Sequence, residues 1–206
     1  PEATINWSTQ GDYYISGMVL EQTIATAGEF NGDGFSDVVV GIRNQHDVSA
    51  TYGIAEIYFG SESGLPGENQ TWAWGEQENC QMGYSVSTAG DVNGDGYADL
   101  LVSAPSFDSD GKTNNGRVYL FYGTNGVFDD EYSTILSGSA AYDAYGTSVS
   151  TAGDVNGDGY ADVLIGAPQA DGAGYDRGYV NTYYGSGSGL VTSIAWYLVG
   201  DQDYGM

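Results

Sequence analysis

Basic residues are nearly absent from this chain. Arg43, Lys112, Arg117 and Arg177 stand against 28 acids, a net charge of −24. Nucleic acid and anionic membrane both require basic patches, so neither is expected as a partner. Cysteine is limited to Cys80, which excludes an internal disulfide and a cysteine-rich zinc site. No apolar run approaches about 18 residues, so no transmembrane helix is expected. The opening PEATINW does not have the form of a signal peptide. We expect either a mature product or an interior piece of something longer. His46 is the single histidine and lies in a polar stretch, RNQHDVSA, where a surface role is expected. With no nucleophile elbow, no paired His and no Ser/His/Asp set, an enzyme is not expected. A chance pair of carboxylates among so many acids is the one catalytic alternative left open.

Glycine and tyrosine, by contrast, are abundant, at 33 and 18 residues. Many tight turns separated by aromatic and β-branched segments predict an all-β chain. Its segments repeat. DVNGDGYADLLVSAP starts at Asp91, DVNGDGYADVLIGAP at Asp154, and a weaker copy, EFNGDGFSDVVVGIR, at Glu29. Aligned on these loops, each unit holds four short runs. The first ends in Thr-Ala-Gly: Gln22–Gly28, Tyr84–Gly90 and Thr147–Gly153. The second is continuously apolar: Asp37–Ile42, Asp99–Ala104 and Asp162–Ala167. The third is bounded by glycines: Gly53–Gly60, Gly116–Gly123 and Gly178–Gly185. The fourth lies outermost: Gln70–Gly75, Ser133–Gly138 and Ser193–Gly200. None has the length or period of a helix. Four antiparallel strands per unit at this long repeat suit β-propeller blades rather than a solenoid.

The units are expected near 20–75, 83–138 and 146–200. Residues 1–19 would hold the outer strand of a preceding blade (Ala3–Trp7) and a linker, and 201–206 would begin a fourth unit, Tyr204-Gly205 aligning with Tyr145-Gly146. A closed propeller needs more than three blades. Further blades are therefore expected, from the parent chain or from other copies, the parent being favoured.

Each acidic loop presents oxygen-bearing side chains at positions 1, 3, 5 and 9. They are Glu29, Asn31, Asp33 and Asp37; Asp91, Asn93, Asp95 and Asp99; and Asp154, Asn156, Asp158 and Asp162. The backbone carbonyl at position 7, from Phe35, Tyr97 or Tyr160, is a further candidate ligand. Hard cations take six to eight oxygens, and a glycine at position 6 allows the turn around one. We expect about three Ca²⁺ ions, one per loop, with Mg²⁺ less suited because it keeps its waters. The start resembles an EF-hand, but position 12 is Val40, Val102 or Ile165 instead of Glu, so that motif is rejected. A plain Asn-Gly/Asp-Gly turn would not need four oxygen-bearing positions in register three times. Nine acids sit in the loops, and three divalent ions would take −24 only to −18. The remaining acids predict a solvated acidic surface.

Tyr145-Gly146, the DVNGDGYAD loop and Gly166-Ala167-Pro168 resemble the FG-GAP repeat of integrin α-subunit propellers and related bacterial proteins. The second unit departs mildly, with Met82-Gly83 and Ser103-Ala104-Pro105. The first keeps the loop but has Leu20-Glu21 and Gly41-Ile42-Arg43. The resemblance implies a seven-bladed propeller, calcium in the loops of one face, and adhesion or scaffolding in a secreted or cell-surface protein. Its partner would be an extracellular protein. The alternative is a lectin-like propeller with a glycan ligand, for which Trp7, Trp72, Trp74 and Trp196 on outer runs are stacking candidates; packing between blades is the plainer role for them. The loops Ser106–Gly116 and Gln169–Gly178 read as polar turns before ligand-contact loops or extra cation sites, and Cys80 as a small buried or semi-buried side chain.

Overall fold

In the computed structural model, residues 22–45, 50–66, 71–125, 132–170 and 177–200 are described. The expectations for Ala3–Trp7, Leu20-Glu21, His46, Tyr204-Gly205 and part of Gln169–Gly178 lie outside these residues.

The described residues form twelve strands and no helix. The first sheet is β1 (Gln22–Gly28), β2 (Asp37–Ile42), β3 (Ile54–Tyr58) and β4 (Thr71–Trp74). The second is β5 (Val86–Gly90), β6 (Asp99–Ala104), β7 (Arg117–Phe121) and β8 (Thr134–Ser137). The third is β9 (Ser148–Gly153), β10 (Asp162–Ala167), β11 (Tyr179–Tyr183) and β12 (Trp196–Val199). In every sheet the spatial order equals the chain order and each pairing is antiparallel. Short meanders of this kind pair each strand with the one made just before it.

The sheets stack as propeller blades. β1 packs against β5 and β5 against β9, so the first strands lie innermost and the fourth strands outermost. One core fills the space between the first two sheets, including Val39, Ile57, Leu100, Val102 and Phe121. A second fills the space between the next two, including Leu101, Leu120, Val149, Val163 and Ile165. The continuous apolar run of β6 follows from this, because its alternate side chains enter different cores and all six residues are buried. β10 carries the same pattern, yet Leu164 and Gly166 are only half-buried. Their side of the third sheet has no described sheet upon it. Trp72, Trp74 and Trp196 are exposed and do not pack between two described blades. The fourth run of the third unit is also shorter as a strand than its apolar pattern predicts, beginning at Trp196.

The two interfaces use different polar chemistry at equivalent places. Between the first two sheets, Arg117 pairs with Glu76 at 3.0 Å and lies over the Phe107 ring at 3.7 Å. Between the next two, Tyr145 donates to the Tyr183 hydroxyl at 2.7 Å and Tyr179 to the buried Asp143 carboxylate at 3.1 Å.

Candidate metal centres

The acidic loops join the first and second strands of each sheet, so all three emerge at the same end of the stack. A β-bulge aims each one. The pairing register slips between Thr26 and Gly28, between Thr88 and Gly90, and opposite Asp162/Val163. The repeated Thr-Ala-Gly is the signature of that bulge. Gly28, Gly90 and Gly153 take left-handed φ of 72°, 76° and 68°, which a side chain would resist. Each threonine hydroxyl accepts the N–H of its glycine, at 3.0 to 3.1 Å. The repeated Thr-Ala-Gly ending is plain in the sequence, but its role as a bulge emerges only from the strand pairing.

Position 9 is unlike the other ligand candidates. Asp37, Asp99 and Asp162 are fully buried. One oxygen of Asp99 accepts the Val92 N–H at 2.8 Å and the other accepts the Gly123 N–H at 3.0 Å. Asp162 holds Val155 and Gly185 in the same way, and Asp37 holds Phe30 and Gly60. This carboxylate therefore staples the start of the loop to the exit of the third strand. The glycines closing the third runs are its partners. Their regular placement was visible in the sequence, but pairing them with a residue 23 or 24 positions earlier required the fold.

The remaining candidates curl over loop amides. Asp91 Oδ1 accepts Gly94 and Asp95 N–H, and its Oδ2 accepts Gly96 N–H at 2.9 Å. Asp95 accepts Tyr97 N–H, and Asn93 both accepts Asp95 N–H and donates to the Asp95 carboxylate. Asp154, Asn156, Asp158 and Tyr160 reproduce this set. In the first loop Glu29 reaches only Gly34 N–H, while Asn31, Asp33 and Phe35 keep the common pattern. The structure thus gathers each predicted set into one nine-residue loop. Among the described residues, no three His, Cys, Asp or Glu side chains converge as a ready metal cage. The carboxylates point instead at main-chain N–H groups, which are the positive ends available to them.

The donor chemistry suits a hard cation. It consists of carboxylate, amide and main-chain oxygen, with no sulfur or imidazole. A carboxylate has about four lone-pair sites, and the two amides on Asp99 leave room for another electropositive partner. Burial pushes the Asp99 carboxyl up to about 7, and the Asp95 and Asp91 charges push the same way against the lowering effect of the Val92 and Gly123 amides. Burial also raises Asp37, again with a contribution from the neighbouring loop acid, Asp33. Such a buried carboxylate beside two others is short of positive charge.

The loops also bind sheet to sheet. The Glu29 and Phe30 carbonyls accept the amides of Ala98 and Thr124 from the second unit, at 3.0 and 2.9 Å. The Asp91 and Val92 carbonyls accept those of Ala161 and Ser186 from the third, both at 2.9 Å.

A family model described as the FG-GAP repeat matches residues 82–121 and 145–183. The chain carries FG-GAP repeats. The first unit lies outside the match and lacks the flanking signatures, yet it has the same sheet, bulge and loop as its FG-GAP neighbours. Known relatives are similar across most of the chain. Phosphatidylinositol-glycan-specific phospholipase D of Bos taurus is 32% identical over 214 residues, covering 96% of this chain and 25% of that protein. Integrin alpha-8 of Gallus gallus is 36% identical over 180 residues, covering 84% of this chain and 16% of that protein. Integrin alpha-5 of Xenopus laevis is 34% identical over 177 residues with the same coverage. The FG-GAP chain thus spans a quarter or less of the length of these relatives. No helix among the described residues is long and apolar enough to cross a membrane.

Proposed function

We propose that this chain is a calcium-stabilised recognition module of a secreted or cell-surface protein, binding an extracellular protein ligand and performing no catalysis of its own. The observation that carries the recognition role is where backbone strain collects. Six non-glycine residues among those described have left-handed φ: Asn79, Gln81, Asp110, Asn114, Tyr142 and Ala144. All lie in the β4–β5, β6–β7 and β8–β9 connections, at the end opposite the acidic loops. Strained residues persist where surrounding structure holds them, and they favour binding surfaces. Here the holding is explicit. Tyr142 N–H donates to the Thr113 carbonyl at 2.8 Å, and Asp108 N–H to the Gln77 side chain at 2.7 Å. One end of the stack is thus a broad, tied loop surface, and the other is the acidic end.

At that acidic end, Ca²⁺ would be held by Asp91, Asn93, Asp95, the Tyr97 carbonyl and Asp99, and by the equivalent residues of the third loop. Glu29, Asn31, Asp33, the Phe35 carbonyl and Asp37 would hold a third ion. Bound there, calcium supplies the positive charge that the buried position 9 carboxylate and its neighbours lack. The chain's own residues fix the loop on its bulge and transmit its order to the next sheet through the position 1 and 2 carbonyls.

The activity in the phospholipase relative's name is that protein's. A glycan ligand is the second reading, favoured by the exposure of Trp72, Trp74 and Trp196. Calorimetric titration of the EGTA-stripped chain with Ca²⁺ tests the metal assignment. We expect saturable heat, weakened by Asp95→Asn, and little response to Mg²⁺. An absence of heat with a folded chain would remove the metal. Panels of extracellular proteins and of glycans, probed in calcium and in EGTA, then separate the two ligand classes.

A further inference from the structure

We infer that Asn31, in the first acidic loop, is a site of spontaneous covalent modification, at which the Gly32 main-chain nitrogen displaces the asparagine side-chain amide as ammonia. An Asn-Gly pair is open to this reaction because glycine has no Cβ to obstruct ring closure. The Gly32 nitrogen bonds to Asn31 Cγ, its proton leaves with the side-chain NH₂ as ammonia, and a five-membered succinimide results. Water then opens the ring. Breaking the new nitrogen–Cγ bond leaves aspartate at position 31. Breaking the original peptide bond instead leaves isoaspartate, with the main chain running through Cγ and one methylene longer. Either product puts a carboxylate where a neutral amide stood, adding one negative charge to the −24 of the chain.

Asn31, Asn93, Asn115, Asn125 and Asn156 are each followed by glycine. Gly126 lies outside the described residues. Asn115 is fully buried, and the Gly116 N–H is tied to the Phe107 carbonyl at 3.1 Å. The other three pairs occupy positions 3 and 4 of the acidic loops, in the identical sequence Asn-Gly-Asp-Gly. Their backbones agree, with φ of 73°, 76° and 77° at Gly32, Gly94 and Gly157. Each asparagine Oδ1 accepts the position 5 amide at 2.9 to 3.1 Å, and each Nδ2 donates to the position 5 carboxylate at 2.8 to 2.9 Å. The Tyr97 ring covers Gly32 as the Tyr160 ring covers Gly94. One contact sets the first loop apart. The Gly94 N–H donates to Asp91 Oδ1 at 2.6 Å, and the Gly157 N–H to Asp154 Oδ1 at 2.7 Å. The Gly32 N–H meets no acceptor among the described residues, because the longer Glu29 reaches past it to the Gly34 N–H at 2.7 Å.

The difference falls on the attacking atom. To reach Cγ, the nitrogen must leave any acceptor it has and shed its proton, and a carboxylate at hydrogen-bond distance opposes the negative charge that then gathers on it. Asp91 and Asp154 impose both costs on their glycines, and Glu29 imposes neither on Gly32. The carbonyl under attack is meanwhile polarised by the Asp33 N–H at 3.1 Å. The product also changes the loop. The hydrogen bond from Asn31 Nδ2 to Asp33 is lost, and two carboxylates face each other in its place.

The test ages the full chain at mildly alkaline pH in EGTA, or in calcium should circular dichroism show that EGTA unfolds it. Peptide mapping by mass spectrometry then follows each asparagine, and isoaspartyl methyltransferase scores the isoaspartate. In the folded chain we expect Asn31 to react several-fold faster than Asn93 or Asn156. The three rates should converge in urea, where the loops lose their contacts. Glu29→Asp should slow Asn31 to the rate of the other two, and Asp91→Glu should accelerate Asn93. Equal rates at the three asparagines of the folded chain overturn the inference. So does Asn156 reacting first, which would put exposure alone in control, and so does a rate at Asn31 indifferent to Glu29→Asp.

Discussion

Asp99 shows how one carboxylate serves two purposes. Its two oxygens satisfy the Val92 and Gly123 amides, and its burial raises its pKa. Replacing it with alanine leaves both amides without an acceptor, at about 1–3 kcal/mol each. In calcium, Asp99→Ala should therefore lose about 3 kcal/mol or more, read as a lower urea midpoint. The exposed Asp108, which accepts only the Asn114 amide in a surface turn, should cost far less on the same change. Glu56 offers a pH-dependent case away from the loops. Burial raises its carboxyl above the ordinary glutamate range, opposed by the Tyr58 hydroxyl donating to it at 2.9 Å. The folded state thus holds this proton more tightly than the unfolded state. Ionisation costs stability as pH rises above about 4.5, and the cost vanishes below that range. Glu56→Gln should then raise the melting temperature relative to the native chain at pH 7, and the gap should close near pH 4. A gap independent of pH would refute this assignment.

At the scale of elements, the second strand of each unit ties the loop to the core. β6 begins with the buried Asp99 and sends Leu100 and Val102 into one core and Leu101 into the other. Leu101→Ala should cost about 2–5 kcal/mol and loosen the second and third sheets together, seen as faster amide exchange in both. Leu164, at the equivalent place in β10, faces the open side. Leu164→Ala should cost under about 1.5 kcal/mol in this chain. The strands themselves were largely legible in the sequence. The bounds of β1, β2, β6 and β10 coincide with the apolar and Thr-Ala-Gly runs, because bulge glycines and the loop aspartates punctuate them. The start of β12 was not legible. Ser193, Ile194 and Ala195 continue an apolar pattern, but pairing with β11 ends at Thr182 opposite Trp196.

For the whole molecule, the proposed calcium binding would be coupled to charge. A chain at −24 carries self-repulsion that bound cations relieve. EGTA should lower the melting temperature, and excess calcium should restore it in proportion to the logarithm of its concentration, about 2.7 kcal/mol per site at a hundredfold excess over Kd. Sodium chloride should rescue part of the loss, because it screens surface charge over about 8–10 Å without entering the loops. A melt indifferent to EGTA would remove calcium from the fold's stability.

By itself, the sequence determined the class of structure and the location of the acidic loops. Repetition of a local pattern predicts repetition of a local structure, and bulge, turn and strand are all set within about ten residues. Only the tertiary structure decided what the loop residues do. Asp99 is a buried staple because Gly123, 24 positions away, returns beside it. Val155 is exposed where Val92 is buried because burial depends on the neighbouring sheet, which no local pattern encodes. Nearly the same fifteen residues therefore have two physical outcomes, according to what packs upon them.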